Sequence, residues 1–150
     1  MRFLIALLTA LTLIAPVAAA EKFDDPVKLV EYVYQRYVGE TPPDFDEMSL
    51  YTPRMQALFK EEEARGELGG LVFDQYLNSQ EQPDLSDLSI LLAVANEKKS
   101  LVAVGFTNGD VYEQIMFTLV PGPDGFKIDE IQGAVPGNEW LLSDILAKPL

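Results

Sequence analysis

The chain has 150 residues, with 24 acidic against 11 basic side chains and a net charge of −13. Binding to nucleic acid is disfavoured, because affinity for phosphate depends on basic groups that release counterions. Cysteine and histidine are both missing. The sequence therefore lacks the Ser-His-Asp and Cys-His catalytic arrangements and the usual zinc and copper ligands. We predict no cofactor and no metal site.

Residues 1–20 have the pattern of a secretory signal peptide. Arg2 precedes an apolar run from Phe3 to Val17, and Ala18-Ala19-Ala20 supplies small residues before a cleavage point. The alternative is a membrane anchor, which needs about 20 apolar residues without a cleavage-like end. We expect cleavage after Ala20 and a bacterial protein located in the periplasm or secreted.

The remaining residues, 21–150, have the length of a single domain that can bury its own core. Loss of Arg2 leaves 10 basic and 24 acidic side chains, a net charge of 10 − 24 = −14. We expect the mature domain to be soluble, without a membrane contact after cleavage. The charge is compatible with a cationic partner, although acidity also simply keeps proteins in solution.

Two helix starts lie in the first half. Asp25-Pro26 and Thr52-Pro53 each place a capping side chain before a proline, which suits the first helical position. Apolar residues recur at helical spacing after the first start, and Gly39 is predicted to end that helix. Gly66 is predicted to end the second.

The second half changes to the period of β-strands. Apolar strands are predicted from Ser89 to Ala95, from Ser100 to Thr107 and from about Val111 to Val120. Asn108-Gly109 is predicted to be the tight turn between the second and third strands, since both residues tolerate positive φ.

The chain is predicted to close with one more strand and a helix. Phe126 to Asp129 is the predicted last strand, and Asn138 is the predicted cap of a short helix that contains Trp140. Helices followed by antiparallel strands predict an α+β domain, with the N-terminal helices packed on one face of a curved sheet.

Alternation along the third strand separates two faces. Val111, Ile115, Phe117 and Leu119 are predicted to face the core, with Glu113 interrupting them. The opposite face carries Tyr112, Gln114 and Met116 and is predicted to be semi-polar.

Four stretches carry a resemblance to a known family: "LVEYVYQRYV", "LVFDQYLNSQE", the hairpin strands, and "GFKIDEIQG" followed by "NEWLLSDIL". Together they resemble the bacterial exported proteins called the domain of unknown function 3828 family. The resemblance implies a cone-shaped α+β fold like that of nuclear transport factor 2. Family members have an Asp-Phe-Asp stretch and then a Gln-Asp pair, where this chain has Val72-Phe73-Asp74 and Gln80-Glu81. The family has no agreed activity.

Carboxylates and amides are concentrated in the segment "FDQYLNSQEQPD", and Asp74, Asn78, Gln80 and Glu81 are the candidate ligand-binding residues. Such side chains either fix a turn by bonding to nearby backbone groups or line one end of a pocket. The segment is not an EF-hand calcium loop, because Ser79 occupies the sixth position, where glycine is required.

Tyr34 and Tyr37 in the first helix pose a similar choice. A tyrosine hydroxyl inside a cone-shaped pocket could polarise a carbonyl group, or the aromatic stripe could simply be core. We include both as candidate ligand-binding residues and name no catalytic residue.

Three functions follow from these observations. The first is a non-catalytic exported binding or accessory protein, whose partner is an unknown protein or a small polar ligand. The second is a cofactor-independent isomerase or dehydratase that uses tyrosine and carboxylate groups. The third is an acidic immunity or inhibitor protein that blocks a basic cleft.

Overall fold

The computed structural model describes residues 22–39, 46–66 and 69–149. The fold is α+β, as predicted, with two α-helices before a five-stranded antiparallel sheet and a short helix at the end. The predicted signal peptide lies outside the described residues. The elements in chain order are α1 (Pro26–Val38), a 3-10 helix (Glu47–Leu50), α2 (Pro53–Arg65), β1 (Leu85–Ala95), β2 (Ser100–Asn108), β3 (Val111–Gly122), β4 (Gly125–Gly133), β5 (Trp140–Leu141) and α3 (Leu142–Ala147).

Both predicted helix starts are confirmed. The Asp25 carboxylate accepts a 2.8 Å hydrogen bond from the backbone N–H of Val27, and proline follows the cap. Thr52 accepts a longer bond, 3.4 Å, from the N–H of Met55. These bonds satisfy backbone donors that have no partner within the helix. Gly66 ends α2 with a φ of 59°, a conformation that favours glycine.

The sheet is a simple meander in the order β1-β2-β3-β4-β5, and it is curved and unclosed. Short connections at residues 96–99, 109–110 and 123–124 join the first four strands. Bulges shift the pairing of β1 with β2 at two places, and another lies between β3 and β4. Bulges bend a strand and increase its twist, which accounts for curvature in this sheet.

The predicted hairpin between β2 and β3 is present, but its turn lies one residue later than predicted. Asn108 pairs with Val111, so Gly109 and Asp110 form the turn. Gly109 has a φ of 60°, and a glycine at the first of two turn positions is typical of a type II′ turn. Asn108 instead accepts a hydrogen bond from the backbone N–H of Asp84, which ties the hairpin to the preceding loop.

Two other predicted boundaries are wrong. β1 begins at Leu85 rather than Ser89, and β4 continues past Asp129 to Gly133. Polar residues such as Ser86 and Asp87 hid the start of β1, because they lie on exposed positions of an edge strand.

The predicted helix cap at Asn138 is also wrong. Trp140 lies in β5, opposite Gly133, and α3 begins only at Leu142. A Cβ atom on Gly133 would lie 2.2 Å from the indole nitrogen of Trp140, so this pairing depends on the glycine. Tertiary contact with the sheet therefore takes Trp140 out of the helix.

The core lies between the helices and the concave face of the sheet. The predicted core face of β3 is confirmed for Ile115, Phe117 and Leu119, whereas Val111 at the start of the strand is exposed. Tyr34 of α1 is fully buried, with its ring centroid 5.9 Å from that of Phe106 and 6.2 Å from that of Phe117. These side chains fill the space beneath α1.

The opposite face of the sheet and its first edge are open. Tyr112 is 59% exposed, as expected for the semi-polar face. Leu91, Leu92 and Val94 are exposed on β1, which pairs with β2 alone among the described strands. Among the described helices, none is long and apolar enough to cross a membrane.

Candidate functional site

An open cleft of about 550 Å³ lies between the loop before β1 and the β2–β3 hairpin. Small-molecule sites commonly have volumes of about 300–1,000 Å³. The cleft includes three of the predicted site residues, Asn78, Gln80 and Glu81. Its remaining lining residues are Ser79, Gln82, Asp84, Asn108, Gly109, Val111 and Glu113.

Two backbone contacts hold the walls of the cleft together. The N–H of Asp84 donates to Oδ1 of Asn108 at 2.9 Å, and the N–H of Gly109 donates to the carbonyl of Asp84 at 3.0 Å. Both contacts join the loop to the hairpin turn. The side chain of Asp84 takes no part in them, and Asp84 is exposed where it lines the cleft.

Asn78 and Glu113 form the floor of the cleft. Nδ2 of Asn78 donates a 2.9 Å hydrogen bond to Oε2 of Glu113, and Oδ1 of Asn78 accepts one of 2.8 Å from Nε1 of Trp140. The Asn78 side chain is therefore held at both ends. Its backbone has a φ of 53°, which asparagine adopts more readily than most residues.

Glu113 is the most unusual of the cleft residues, because it is a carboxylate that is only 8% exposed. Oε2 is bonded to Asn78, while Oε1 accepts no hydrogen bond from any described residue. Oε1 is not fully buried, so it keeps some contact with solvent, and Glu113 lines the cleft. No described lysine or arginine forms an ion pair with Glu113.

The cleft is acidic as a whole. Glu81, Asp84 and Glu113 supply three carboxylates, and the lining residues include neither lysine nor arginine. Val111 adds an apolar surface that is 58% exposed. A site with these groups accepts hydrogen bonds from a ligand and attracts positive charge.

Asp74 lies outside this cleft and fixes a turn. Its Oδ1 accepts a 2.9 Å bond from the N–H of Tyr76, and its backbone N–H donates to the carbonyl of Ser79. Oδ2 accepts a 2.6 Å bond from the hydroxyl of Tyr37. The structure thus brings two predicted site residues, Asp74 and Tyr37, into direct contact.

The hydroxyls of Tyr34 and Tyr37 both bind protein groups. Tyr34 donates a 2.7 Å bond to the carbonyl of Tyr76 and is fully buried. Burial raises the pKa of Tyr34 well above its ordinary value, and burial followed by the bond to Asp74 raises the pKa of Tyr37. Both phenols are neutral at physiological pH and lie outside the cleft.

A second polar network, around Glu47, was missed from the sequence. Glu47 Oε1 accepts bonds from the hydroxyl of Tyr76 at 2.9 Å and from the amide of Gln75 at 2.8 Å. Arg36 lies 3.4 Å from the other oxygen, and the Tyr51 hydroxyl lies 2.7 Å from that of Tyr76. The network joins α1, the 3-10 helix and the loop before β1. No local motif marks it, because its members are far apart along the chain.

Glu113 was noticed in the sequence only as an interruption of the apolar face of β3. That interruption is the signal that could have identified it, since a charged residue at a core-facing position needs partners. Metal binding has no comparable support. Among the described residues, no three acidic side chains are grouped so as to hold a metal ion.

Comparison with known proteins gives one distant structural likeness. No protein-family model and no curated protein matches the chain, so the resemblance to the domain of unknown function 3828 family stays a prediction. A phospholipid-binding protein from Ralstonia solanacearum, solved in complex with a phospholipid, is similar at 15% identity with a TM-score of 0.38. The match covers 81% of this chain and 59% of that protein. The likeness is too low for the ligand of that protein to be carried over.

Proposed function

We propose that this chain is an exported, non-catalytic binding protein that holds a small polar ligand in the cleft between the loop before β1 and the β2–β3 hairpin. The main support for the proposal is the pair of residues, Asn78 and Glu113, that lines the cleft. Trp140 holds the side chain of Asn78, Asn78 donates to Oε2 of Glu113, and Oε1 of Glu113 accepts no bond from a described residue. A largely buried carboxylate with one open acceptor offers a ligand a strong hydrogen bond, because the low local dielectric strengthens that bond.

The tyrosines support a binding protein over an isomerase or dehydratase. Tyr34 is fully buried beneath α1, so a substrate has no access to its hydroxyl. The hydroxyl of Tyr37 donates a hydrogen bond to Asp74, which joins α1 to the loop before β1. Both hydroxyls therefore form hydrogen bonds that stabilise the fold.

Export is the second part of the proposal, and the amino-terminal sequence tests it. The protein purified from the periplasm or the medium should begin at Glu21 or within a residue or two of it. A protein that still begins at Met1 and stays in the cytoplasm would overturn this part.

Ligand binding is tested with the small-molecule filtrate of a periplasmic extract. On addition of the filtrate to the isotopically labelled protein, the backbone amide signals of Asn78, Gly109 and Glu113 should shift. Val111→Trp fills the cleft and should abolish the shifts. Val38→Trp is the control, since Val38 is similarly exposed, at 54% against 58%, but lies on α1.

Two outcomes of this experiment would contradict the proposal. If the filtrate leaves all the cleft signals in place, the cleft is not a ligand site. If Val111→Trp and the Val38→Trp control respond identically to the filtrate, any observed binding occurs elsewhere.

A further inference from the structure

We infer that the ligand of the cleft carries a primary ammonium group on an alkyl chain, and that Oε1 of Glu113 is its counter-ion. The inference rests on the proposed function and adds the chemical class of the ligand. It depends on the burial and hydrogen bonding of Glu113, and on the acidic and apolar residues that line the cleft.

The charge of the cleft favours a cationic ligand. Glu113 is a carboxylate that is 8% exposed and has no ion pair with a described residue. Such a carboxylate attracts a cation more strongly than an exposed one does, because less water screens the interaction. The free oxygen faces a cleft with two more carboxylates, Glu81 and Asp84. An anionic ligand would be repelled there.

The hydrogen bonding of Glu113 favours an ammonium group over a guanidinium group. A guanidinium group binds a carboxylate best through two parallel bonds, one to each oxygen. Oε2 of Glu113 is already bonded to Asn78 at 2.9 Å, and Asn78 is fixed in turn by Trp140. Oε1 is thus the oxygen of Glu113 that accepts no bond from a described residue, and a single open acceptor suits the compact point charge of an ammonium group.

The other lining residues of the cleft offer contacts for the rest of the ligand. Glu81 and Asp84 line the same cleft, and their negative charge adds to the attraction of a cationic ligand. Val111 presents an exposed apolar surface beside them. An alkyl chain attached to the ammonium group would pack on Val111.

The probes are three compounds with the same butyl chain, butylammonium, butylguanidinium and 1-butanol, together with butyrate as an anion of similar length. Each is titrated at low ionic strength into the labelled protein, and the shifts of Asn78, Gly109 and Glu113 are followed. Butylammonium should bind tightest, butylguanidinium more weakly, and the alcohol and butyrate should leave the cleft signals in place. Tighter binding of butylguanidinium, the alcohol or butyrate overturns the inference, as does the absence of any shift with butylammonium.

A lysine side chain is itself a butylammonium group, so a capped lysine serves as a fifth probe. If the free amine binds as tightly as the capped lysine or more so, the ligand is a small amine, as we infer. If capped lysine binds markedly tighter, the source is a protein, and the small-amine assignment is wrong.

Glu113→Gln removes the charge and keeps the shape and an acceptor for Asn78. Loss of a charged hydrogen bond should weaken butylammonium binding about tenfold or more. Glu61→Gln on the exposed surface of α2 is the matched control, since it changes the net charge equally outside the cleft. Equal effects of the two variants would mean that only overall charge attracts the amine. The probe series on the parent protein decides the inference even if Glu113→Gln fails to fold.

The two proposals fail separately. If the periplasmic filtrate shifts the cleft signals but butylammonium does not, the binding function stands and the ammonium assignment falls. If the filtrate shifts none of them, the binding function itself is wrong.

Discussion

The hydroxyl of Tyr37 donates a 2.6 Å hydrogen bond to Oδ2 of Asp74, and this bond joins α1 to the loop that leads into the sheet. The other carboxylate oxygen accepts the N–H of Tyr76, so one side chain fixes both the turn and its attachment to the helix. Asp74 therefore has the turn-fixing role that was one of the two interpretations of its segment, and the bond to Tyr37 adds a contact with α1.

Substitution of Asp74 should separate these contacts. Asp74→Ala loses both bonds and should lower the free energy of unfolding by about 1–3 kcal/mol. Asp74→Asn keeps one acceptor and places an amide donor beside the Tyr37 hydroxyl, which can accept it, so its loss should be less than half as large. Urea unfolding of both variants measures the difference. Tyr37→Phe, which removes one bond, should lie between them; if both Asp74 variants match the parent, the turn role is wrong.

Thr52 connects α2 to β4 in addition to capping the helix. Its hydroxyl donates a 2.9 Å bond to the carboxylate of Asp129 and accepts the N–H of Met55. Thr52→Ala should destabilise the protein by about 1–2 kcal/mol, measured by thermal or urea unfolding. Thr52→Ser keeps the hydroxyl and should recover most of the loss. Equal losses in the two variants would assign the effect to the methyl group.

Gly109 provides a test of the corrected hairpin turn. A Cβ atom at this position meets nothing within 4 Å, so the cost of a side chain comes from the backbone, whose φ is 60°. Gly109→Val should lower stability by about 1 kcal/mol or more. Asp110→Val is the control, because Asp110 lies in the same turn without a positive φ. Similar melting temperatures for the two variants would contradict the assignment of the turn.

Alkaline pH should unfold the protein through its buried tyrosines. Burial raises the pKa of Tyr34, Tyr37, Tyr51 and Tyr76 above the ordinary value of 10.0. Above pH 10 the unfolded chain loses phenolic protons that the folded protein keeps, so stability is full below that pH and falls as pH rises. Each such group adds a slope of about 1.4 kcal/mol per pH unit.

Tyr51→Phe should reduce this slope by about one proton, as measured by urea unfolding at a series of pH values above 10. Tyr112→Phe is the control, because it removes a phenol that is 59% exposed instead of a buried one. A parent and a Tyr51→Phe variant with the same slope would show that Tyr51 ionises equally in the two states.

The parts of the fold that depend on neighbours in sequence were predictable. Asp25-Pro26 and Thr52-Pro53 mark helix starts because the cap and the proline act within one turn. The core face of β3 was predictable for the same reason, since alternation along a strand is a local pattern. The turn at Gly109 was placed one residue early because two adjacent residues both tolerate positive φ.

The candidate site was only partly predictable, because its key contacts cross long stretches of chain. Asn78 was selected from its local segment, but its partner Glu113 lies 35 positions away and Trp140 lies 62 positions away. The bonds of Glu47 to Gln75 and Tyr76 likewise join residues 28 and 29 positions apart. Sequence patterns report periodicity and capping within an element, and they do not report which elements meet.

The meander order of the sheet has a consequence for how the chain folds. β2, β3 and β4 each pair with the strand just before them, so most sheet contacts join residues close in sequence, and these form early. The buried side of α1 has no such neighbour: Tyr34 packs on Phe106 and Phe117, which are synthesised much later. We expect α1 to dock last, onto a sheet that has already formed, so that the first helix made is the final one to reach its native place.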